Sequence, residues 1–470
     1  MIKSNMIFKD KIILIAGYGY NCFKWHNNVD NNVRLRLGIV FDCGLIVTTR
    51  TELIYCDKIL IHDTDIELEI IVQSFEWNLI VMTMKKNTKN HVDLLDNLEF
   101  ENIVYLELKL PNPNPNQNNL EYYLIQYDSN SNKITNTSNL KYIKSTIDKN
   151  DYLPSVLNCH FKIENSEIDL NNINGSIVID ENQKIRGIVQ CFIRNSIEEI
   201  LITPTIIIYR ILYEWIKYPD EYQGFNNVNL YGTFVKKNAI SKKVYILQSP
   251  NAYASLALIK INGLNILNRK DVPYVLDPIL VAELPLELYL RIRCYSQETV
   301  TLTTDDSDII CHLESNKTGL MYTSNSQDFI KINSKHTICY LHYELIQLFL
   351  QNYNITLNNQ IVMDYKKKRW DKLNNINGPV YILIHTESHA LMTANKMLDL
   401  NLYLNNTNTN TKNTKNLEHC IPIIKKINSI PMNKFKSILE LKRFIDLEKD
   451  LDFEMEYFEE NIQFAIRKIN

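Results

Sequence analysis

NINGSIVIDENQKIRGIVQ, residues 172–190, decides how this chain is read. A polar turn, Asn174–Gly175–Ser176, feeds the apolar run Ile177, Val178 and Ile179. A second polar stretch, 180–184, turns the chain, and another run closes on Gly187, Ile188 and Val189. β-Branched runs bounded by Asn, Asp and Gly read as a strand, a turn and a second strand. Outward from this hairpin the same texture recurs. Short β-branched or apolar runs at 33–40, 45–49, 58–62, 68–72, 79–84 and 103–110 are separated by Asn, Asp and Gly, and PNPNPNQNN (111–119) and DSNSNK (128–133) read as loops. Many short strands at close spacing favour a barrel or a sandwich. A helix is predicted over 205–218, with Thr203 and Pro204 marking its start.

Beyond that helix the chain repeats itself. VYIL occurs at 244–247 and again at 380–383; the first copy continues QSPNAYASLALIKINGLNI, the second IHTESHALMTA and, after an insertion, IIKKINSIPM. Each copy reads as a strand, a turn, a short helix and a Lys-Ile-Asn hairpin strand. A repeat of two large units implies duplicated domains rather than a solenoid. The insertion, residues 404–417, is polar and of low complexity, a composition that cannot bury a core.

A chain of 470 residues exceeds what one core usually supports, so two to four domains are expected. The net charge of −3 provides no basic footprint and argues against a nucleic-acid partner. Near the start, the apolar run 12–16 is too short for a signal core or a membrane span, so no membrane partner is expected. Nine cysteines, scattered and never in CxxC spacing, indicate neither a disulfide framework nor a zinc site, and a reducing intracellular compartment fits them. No cofactor or metal is expected. Cys159–His160 and Cys311–His312 are sequence neighbours, which point to opposite faces of a strand. HTESH (385–389) places Glu387 two positions after the first histidine, whereas a zinc protease needs it directly after. It reads as a turn.

The hairpin at 172–190 resembles the nucleophile loop of the HtrA/Deg family of trypsin-like serine proteases, with its pattern GNSGGPLVN, an acidic turn and a strand ending in glycine. The thirteen positions from Asn174 to Gly187 match the family spacing, so Asn174 stands where the resemblance puts the serine. GLIVTTRTEL (44–53) resembles the family's GLIVTNxHVV, with Thr51 at the general base. WNLIVMTM (77–84) resembles DLALLKV, with Asn78 at the orienting aspartate. A carboxamide forms no acyl-enzyme, a threonine does not accept a proton near neutrality, and an asparagine does not stabilise an imidazolium. The duplicated unit resembles the PDZ domains that follow HtrA proteases. GLIVTTRTEL and NGSIVIDENQKIRG are most similar to the degenerate protease half of fungal nuclear HtrA-like proteins. The basic run KKKRW (366–370) reads as a solvated loop or, in keeping with that resemblance, an import signal, so nucleus or cytoplasm is expected.

The resemblance implies a mainly β chain: a chymotrypsin-like double β-barrel, degenerate, over residues 1–220, followed by two PDZ-like α+β domains. The first spans 228–305 and the second 376–470, with a connector at 306–375. Two departures bear on the loop itself. Ser176 replaces the second turn glycine and Ile177 the proline, so the turn is not expected to form an oxyanion hole. Ser176 as a fallback nucleophile lies only eleven positions from Gly187, puts Ile177 and Val178 where glycines belong, and has no base. In the first PDZ-like unit, Tyr231, Gly232, Thr233 and Phe234 lie where the family gathers a peptide carboxylate, and Gly232 supplies the glycine such a loop needs. In the second unit, Gly378–Pro379 directly precedes VYIL, and the proline removes a donor.

Three functions follow from this reading. One is an inactive HtrA-like pseudoprotease that binds peptide or protein segments through PDZ-like grooves, as a scaffold or in an assembly. Another is an active serine endopeptidase with a displaced triad, for which His26, His62, His91 and His160 are the histidines of the barrel region. A third is a purely structural subunit, in which the chain's own segments, such as 306–375 or the acidic tail near Glu454–Glu460, fill the grooves. Homo-oligomers are common in the family, but no segment here encodes such a contact legibly.

Overall fold

The computed structural model describes residues 12–20, 30–41, 44–74, 77–85, 121–129, 133–150, 153–164, 173–181, 184–194, 198–217, 232–236, 243–247, 256–278, 282–294, 299–312, 329–333, 336–341, 379–385, 423–435, 438–457 and 460–467. The expected strand 103–110, the loop 111–119, the basic run 366–370, the insertion 404–417, Tyr231 and most of HTESH lie outside them. The chain divides into two compact units, one from Met1–Tyr20 and Asn31–Asn316, the other from Asn21–Asp30 and Lys317–Asn470.

The first unit opens with six antiparallel strands: β1 (Ile12–Tyr18), β2 (Arg34–Val40), β3 (Ile46–Thr49), β4 (Lys58–Ile61), β5 (Leu68–Ser74) and β6 (Leu79–Met84). Their order is β4-β1-β2-β3-β6-β5, and the two ends meet at a bridge between Leu60 and Glu67. Ile15, Ile46, Leu53, Ile80 and Met82 are buried together inside this sheet. Six more strands follow: β7 (Tyr122–Asp128), β8 (Lys133–Asn150), β9 (Leu153–Ile163), β10 (Ile177–Asp180), β11 (Ile185–Arg194) and β12 (Glu198–Pro204). They close into a barrel in the order β10-β11-β12-β9-β8-β7, around Leu124, Leu140, Phe161, Val178, Val189 and Ile200. Read around the ring, both sheets run first, second, third, sixth, fifth, fourth. The chain is mainly β, and this shared order is that of a chymotrypsin-like double barrel, as the hairpin at 172–190 led us to expect.

That hairpin is β10 and β11. Asp180, fully buried, holds its turn: one carboxylate oxygen accepts the Lys184 N–H at 2.8 Å, and the other pairs with Arg186. Gly187 is needed because a Cβ there would sit 2.3 Å from the carbonyl oxygen of Thr203 on β12. Helix α1 (Thr205–Lys217) follows and buries Ile206, Ile207, Ile208, Ile211 and Leu212.

The first unit ends in a third sheet with β13 (Gly232–Lys236), β14 (Lys243–Leu247), β15 (Ala257–Ile261), β16 (Leu264–Arg269), β17 (Val272–Asp277) and β18 (Ala282–Pro285) in sequence order. After helix α2 (Leu286–Arg293), β19 (Thr299–Thr304) pairs with β15, and β20 (Asp308–His312) pairs with β19. This sheet is fixed to the barrels by a shared core and by Arg210 of α1. That guanidinium donates to the carbonyls of Arg291, at 3.0 Å, and Cys294, at 2.7 Å, at the end of α2. The second unit holds β21 (Phe329–Lys331), β22 (His336–Tyr340), β23 (Tyr381–His385), β24 (Ile423–Ile427), β26 (Asp450–Tyr457) and β27 (Glu460–Arg467) in that order across its sheet. A short β25 (Ile430–Pro431) pairs with β24, and helix α3 (Ile438–Leu447) precedes β26. The stretch 306–375 thus supplies β20 to one sheet and β21 and β22 to the other.

The repeat seen in the sequence is a repeat in topology. The VYIL strands, β14 and β23, each pair with a Lys-Ile-Asn strand, β15 or β24, which in turn pairs with the strand that follows the helix, β19 or β26. Both Lys-Ile-Asn hairpins turn through two left-handed residues, Asn262–Gly263 (φ 46° and 78°) and Asn428–Ser429 (φ 48° and 65°). That is the type I′ geometry that asparagine tolerates and glycine favours. Each asparagine also uses its side chain. Asn262 Oδ1 accepts the Thr301 N–H at 2.9 Å, and Asn428 Oδ1 accepts the Asp452 N–H at 2.7 Å. One residue type makes the turn and ties it to the next strand.

Candidate functional site

The two barrels meet where the sequence placed a degenerate triad. Thr51 follows β3, and Asn78 precedes β6 in a left-handed conformation, φ 48°. Its backbone carbonyl accepts the Arg50 N–H at 2.9 Å. Its side-chain oxygen accepts two bonds from Thr51, from the backbone N–H at 3.0 Å and from Oγ1 at 2.7 Å. The amide Nδ2 then donates across to the second barrel, to Gln190 Oε1 at 2.7 Å. Gln190 can reach because β11 bulges between Val189 and Cys191, and a bulge re-aims the side chain of its extra residue.

Val189, beside Gln190, carries the turn before β10. Its N–H donates to the Ser176 carbonyl at 2.8 Å, and its carbonyl accepts the Gly175 N–H at 2.9 Å. Gly175 is left-handed, φ 84°, and a Cβ on it would lie 2.9 Å from Cδ of Arg36 and 3.2 Å from Oγ1 of Thr49. The turn is therefore packed against β2 and β3, two residues from Thr51. Asn174 is half-buried within it. Arg36 lies across this contact almost wholly buried, ion-paired to Glu52, with Nη1 donating to the Leu35 carbonyl at 2.7 Å. Burial pulls its guanidinium below the ordinary arginine value, and Glu52 pulls the other way. Trp77, buried next to Asn78, offers its carbonyl to Thr203 Oγ1 of β12 at 3.3 Å.

Three segments far apart in the chain thus converge at one junction. Thr51 and Asn78 are bonded directly, and the turn carrying Asn174 joins them through Gly175 and Val189. The chemistry of the Thr51–Asn78–Gln190 network is that of one hydroxyl and two carboxamides, with no group that titrates near neutral pH. Ser176 is 1% exposed, and its N–H is spent on the Ile173 carbonyl at 3.1 Å, so it presents neither an open hydroxyl nor a spare oxyanion donor. The described histidines of the barrels sit beside other carboxylates: His160 Nδ1 lies 3.1 Å from Glu199, and His62 Nε2 lies 3.3 Å from Asp63. His26 and His91 lie outside the described residues.

Of the expected peptide-binding set, Gly232, Thr233 and Phe234 lie on β13, opposite Leu247, Ile246 and Tyr245. β13 is the terminal strand of its sheet, and Val235 on it is half-exposed. Among the described residues, no group of three or more His, Cys, Asp or Glu side chains is placed to hold a metal ion, and no helix is long and apolar enough to cross a membrane. Sequence reasoning missed Gln190, Arg36 and Glu52. None of them carries a local signal, since each acts through a partner distant in the chain.

No protein-family model matches the chain, and no curated protein matches its sequence. Solved structures similar to it include the HtrA-type protease AlgW with a decapeptide, at 10% identity over 64% of this chain and 93% of that one, TM-score 0.39. Also similar is the Rv3671c protease from M. tuberculosis in its active form, at 11% identity over 41% of this chain and 75% of that one, TM-score 0.29. The strand order, rather than these superpositions, carries the double-barrel architecture.

Proposed function

We propose that this chain is a non-catalytic, HtrA-like protein that recruits extended segments of other proteins. The observation that carries the reading is the Thr51–Asn78–Gln190 network. Where the resemblance puts a general base and an orienting carboxylate, a hydroxyl and two carboxamides satisfy one another instead. Acyl transfer needs a nucleophile and a base in hydrogen-bond reach. Asn174 supplies no such nucleophile, and Ser176 is buried.

Recruitment falls to the PDZ-like modules. A strand at the edge of a sheet can accept another chain as an added strand, its main chain giving affinity and its pockets giving specificity. β13 ends its sheet, and among the described residues no strand pairs with its other edge. Gly232 at its start allows a loop to bring backbone N–H groups together around a terminal carboxylate.

The test has two arms. Full-length protein is assayed on casein and fluorogenic peptides beside Ser176→Ala; turnover lost in the variant would sink the non-catalytic reading. In the second arm the full chain selects from a library of random C-terminal decapeptides, and an enriched peptide is added during hydrogen exchange. Slowed exchange over residues 232–236 is expected, and a library that enriches nothing would count against recruitment at β13.

A further inference from the structure

β21 holds a place in the second module that the first leaves to the end of a sheet. It runs antiparallel to β22, with Phe329 opposite Cys339, Ile330 opposite Ile338 and Lys331 opposite Thr337. β22 is the counterpart of β13, because each pairs with a VYIL strand. The outer edge of that counterpart strand is therefore occupied by the chain itself. β21 also lies close to α3, the helix that follows the Lys-Ile-Asn hairpin. Residues 329–331 thus pair with an edge strand and come close to a helix. Ile330 is buried, as are Leu441 and Ile445 of α3.

A strand-addition ligand would take this position, antiparallel to the edge strand and flanked by the helix. The C-terminal end of β21 points toward the start of β22, where such a ligand would present its terminus. Here the chain runs on toward β22: the Ile332 N–H donates to the His336 carbonyl at 2.9 Å, and Asn333 Oδ1 accepts the His336 N–H at 2.8 Å. A peptide link, tied by Asn333, stands where a free carboxylate would otherwise be gathered.

We propose that β21 is a tethered ligand that fills the second module's groove, so that outside segments are recruited by the first module. The inference rests on reading both modules as strand-addition sites. A tether this short gives an effective concentration of about the millimolar range, so a free peptide at micromolar concentration does not displace it.

The experiment uses the full chain carrying Phe329→Gly, Ile330→Ser and Lys331→Gly together, and a synthetic peptide SQDFIKIN that copies residues 326–333. Hydrogen exchange over 336–340 is expected to quicken about tenfold or more in the variant. Millimolar SQDFIKIN restores the slow rate, and a scrambled peptide does not. The wild-type chain shows no change with either. Unchanged exchange over 336–340 in the variant, or no restoration by the peptide, would overturn the proposal. Protection of β24, β26 and β27 reports that the module is still folded. Where the triple variant loses it, Ile330→Ala replaces it with the same expected direction. Peptide capture at β13 is read separately in the same chains, and its failure with the β21 result intact would sink recruitment by the first module alone.

Discussion

Replacing Asn78 with leucine removes three hydrogen bonds at once: the two accepted from Thr51, at 3.0 and 2.7 Å, and the one donated to Gln190 at 2.7 Å. The partners are partly buried, so each lost bond costs about 1 kcal/mol, toward the lower end of the range for unsatisfied groups. Leucine must also adopt the φ of 48° that asparagine tolerates, which adds about 1 kcal/mol more. Together these predict a loss of about 4 kcal/mol. Asn78→Gly loses the same bonds but not the backbone compatibility, and is expected to cost about 1 kcal/mol less. Asn78→Asp keeps both bonds from Thr51, and a rotated Gln190 amide can donate to it, so its cost is expected below about 1 kcal/mol. Urea unfolding followed by tryptophan fluorescence measures the series. An Asn78→Leu or Asn78→Gly chain within about 0.5 kcal/mol of wild type would refute the idea that this network joins the barrels.

Other substitutions probe the frame around the site. Arg210→Met leaves the carbonyls of Arg291 and Cys294 without the guanidinium; a cost of about 2–4 kcal/mol and faster hydrogen exchange in α2 are expected. Gly187→Ala forces a methyl to within 2.3 Å of a backbone oxygen, and thermal or urea unfolding should register a loss of about 1–3 kcal/mol. Burial pushes the Tyr122 phenol up to about 12, so the folded state holds its proton where the unfolded chain releases it. That contribution is whole below about pH 10 and is lost as pH rises toward 12. The alkaline slope of stability over that window is therefore expected to be shallower in Tyr122→Phe, as urea midpoints at stepped pH would report.

How much the sequence disclosed follows from how local each feature is. GLIVT, IVID and the VYIL copies are β-branched runs closed by turn residues, and they became β3, β10, β14 and β23. The asparagine hairpins were visible because a left-handed turn needs a residue that tolerates it. β8 and β9 were not, since polar residues run through Lys133–Asn150 and Leu153–Ile163 and no local boundary marks the strands. Thr51 and Asn78 could be aligned by motif, but their bond to each other could not. Gln190 lies 112 residues from its partner, and its reach depends on a bulge that no local pattern announces. β21 is three residues long, shorter than any periodicity could register, and only its pairing with β22 and its nearness to α3 give it meaning.

On the non-catalytic reading, the barrel junction gives a covalent serine-directed probe nothing to react with. The native, full-length protein is incubated with a fluorophosphonate, and its intact mass is measured. Unshifted mass after prolonged incubation is predicted. A single adduct per chain, mapped to Ser176 and absent from Ser176→Ala, would contradict the non-catalytic reading outright.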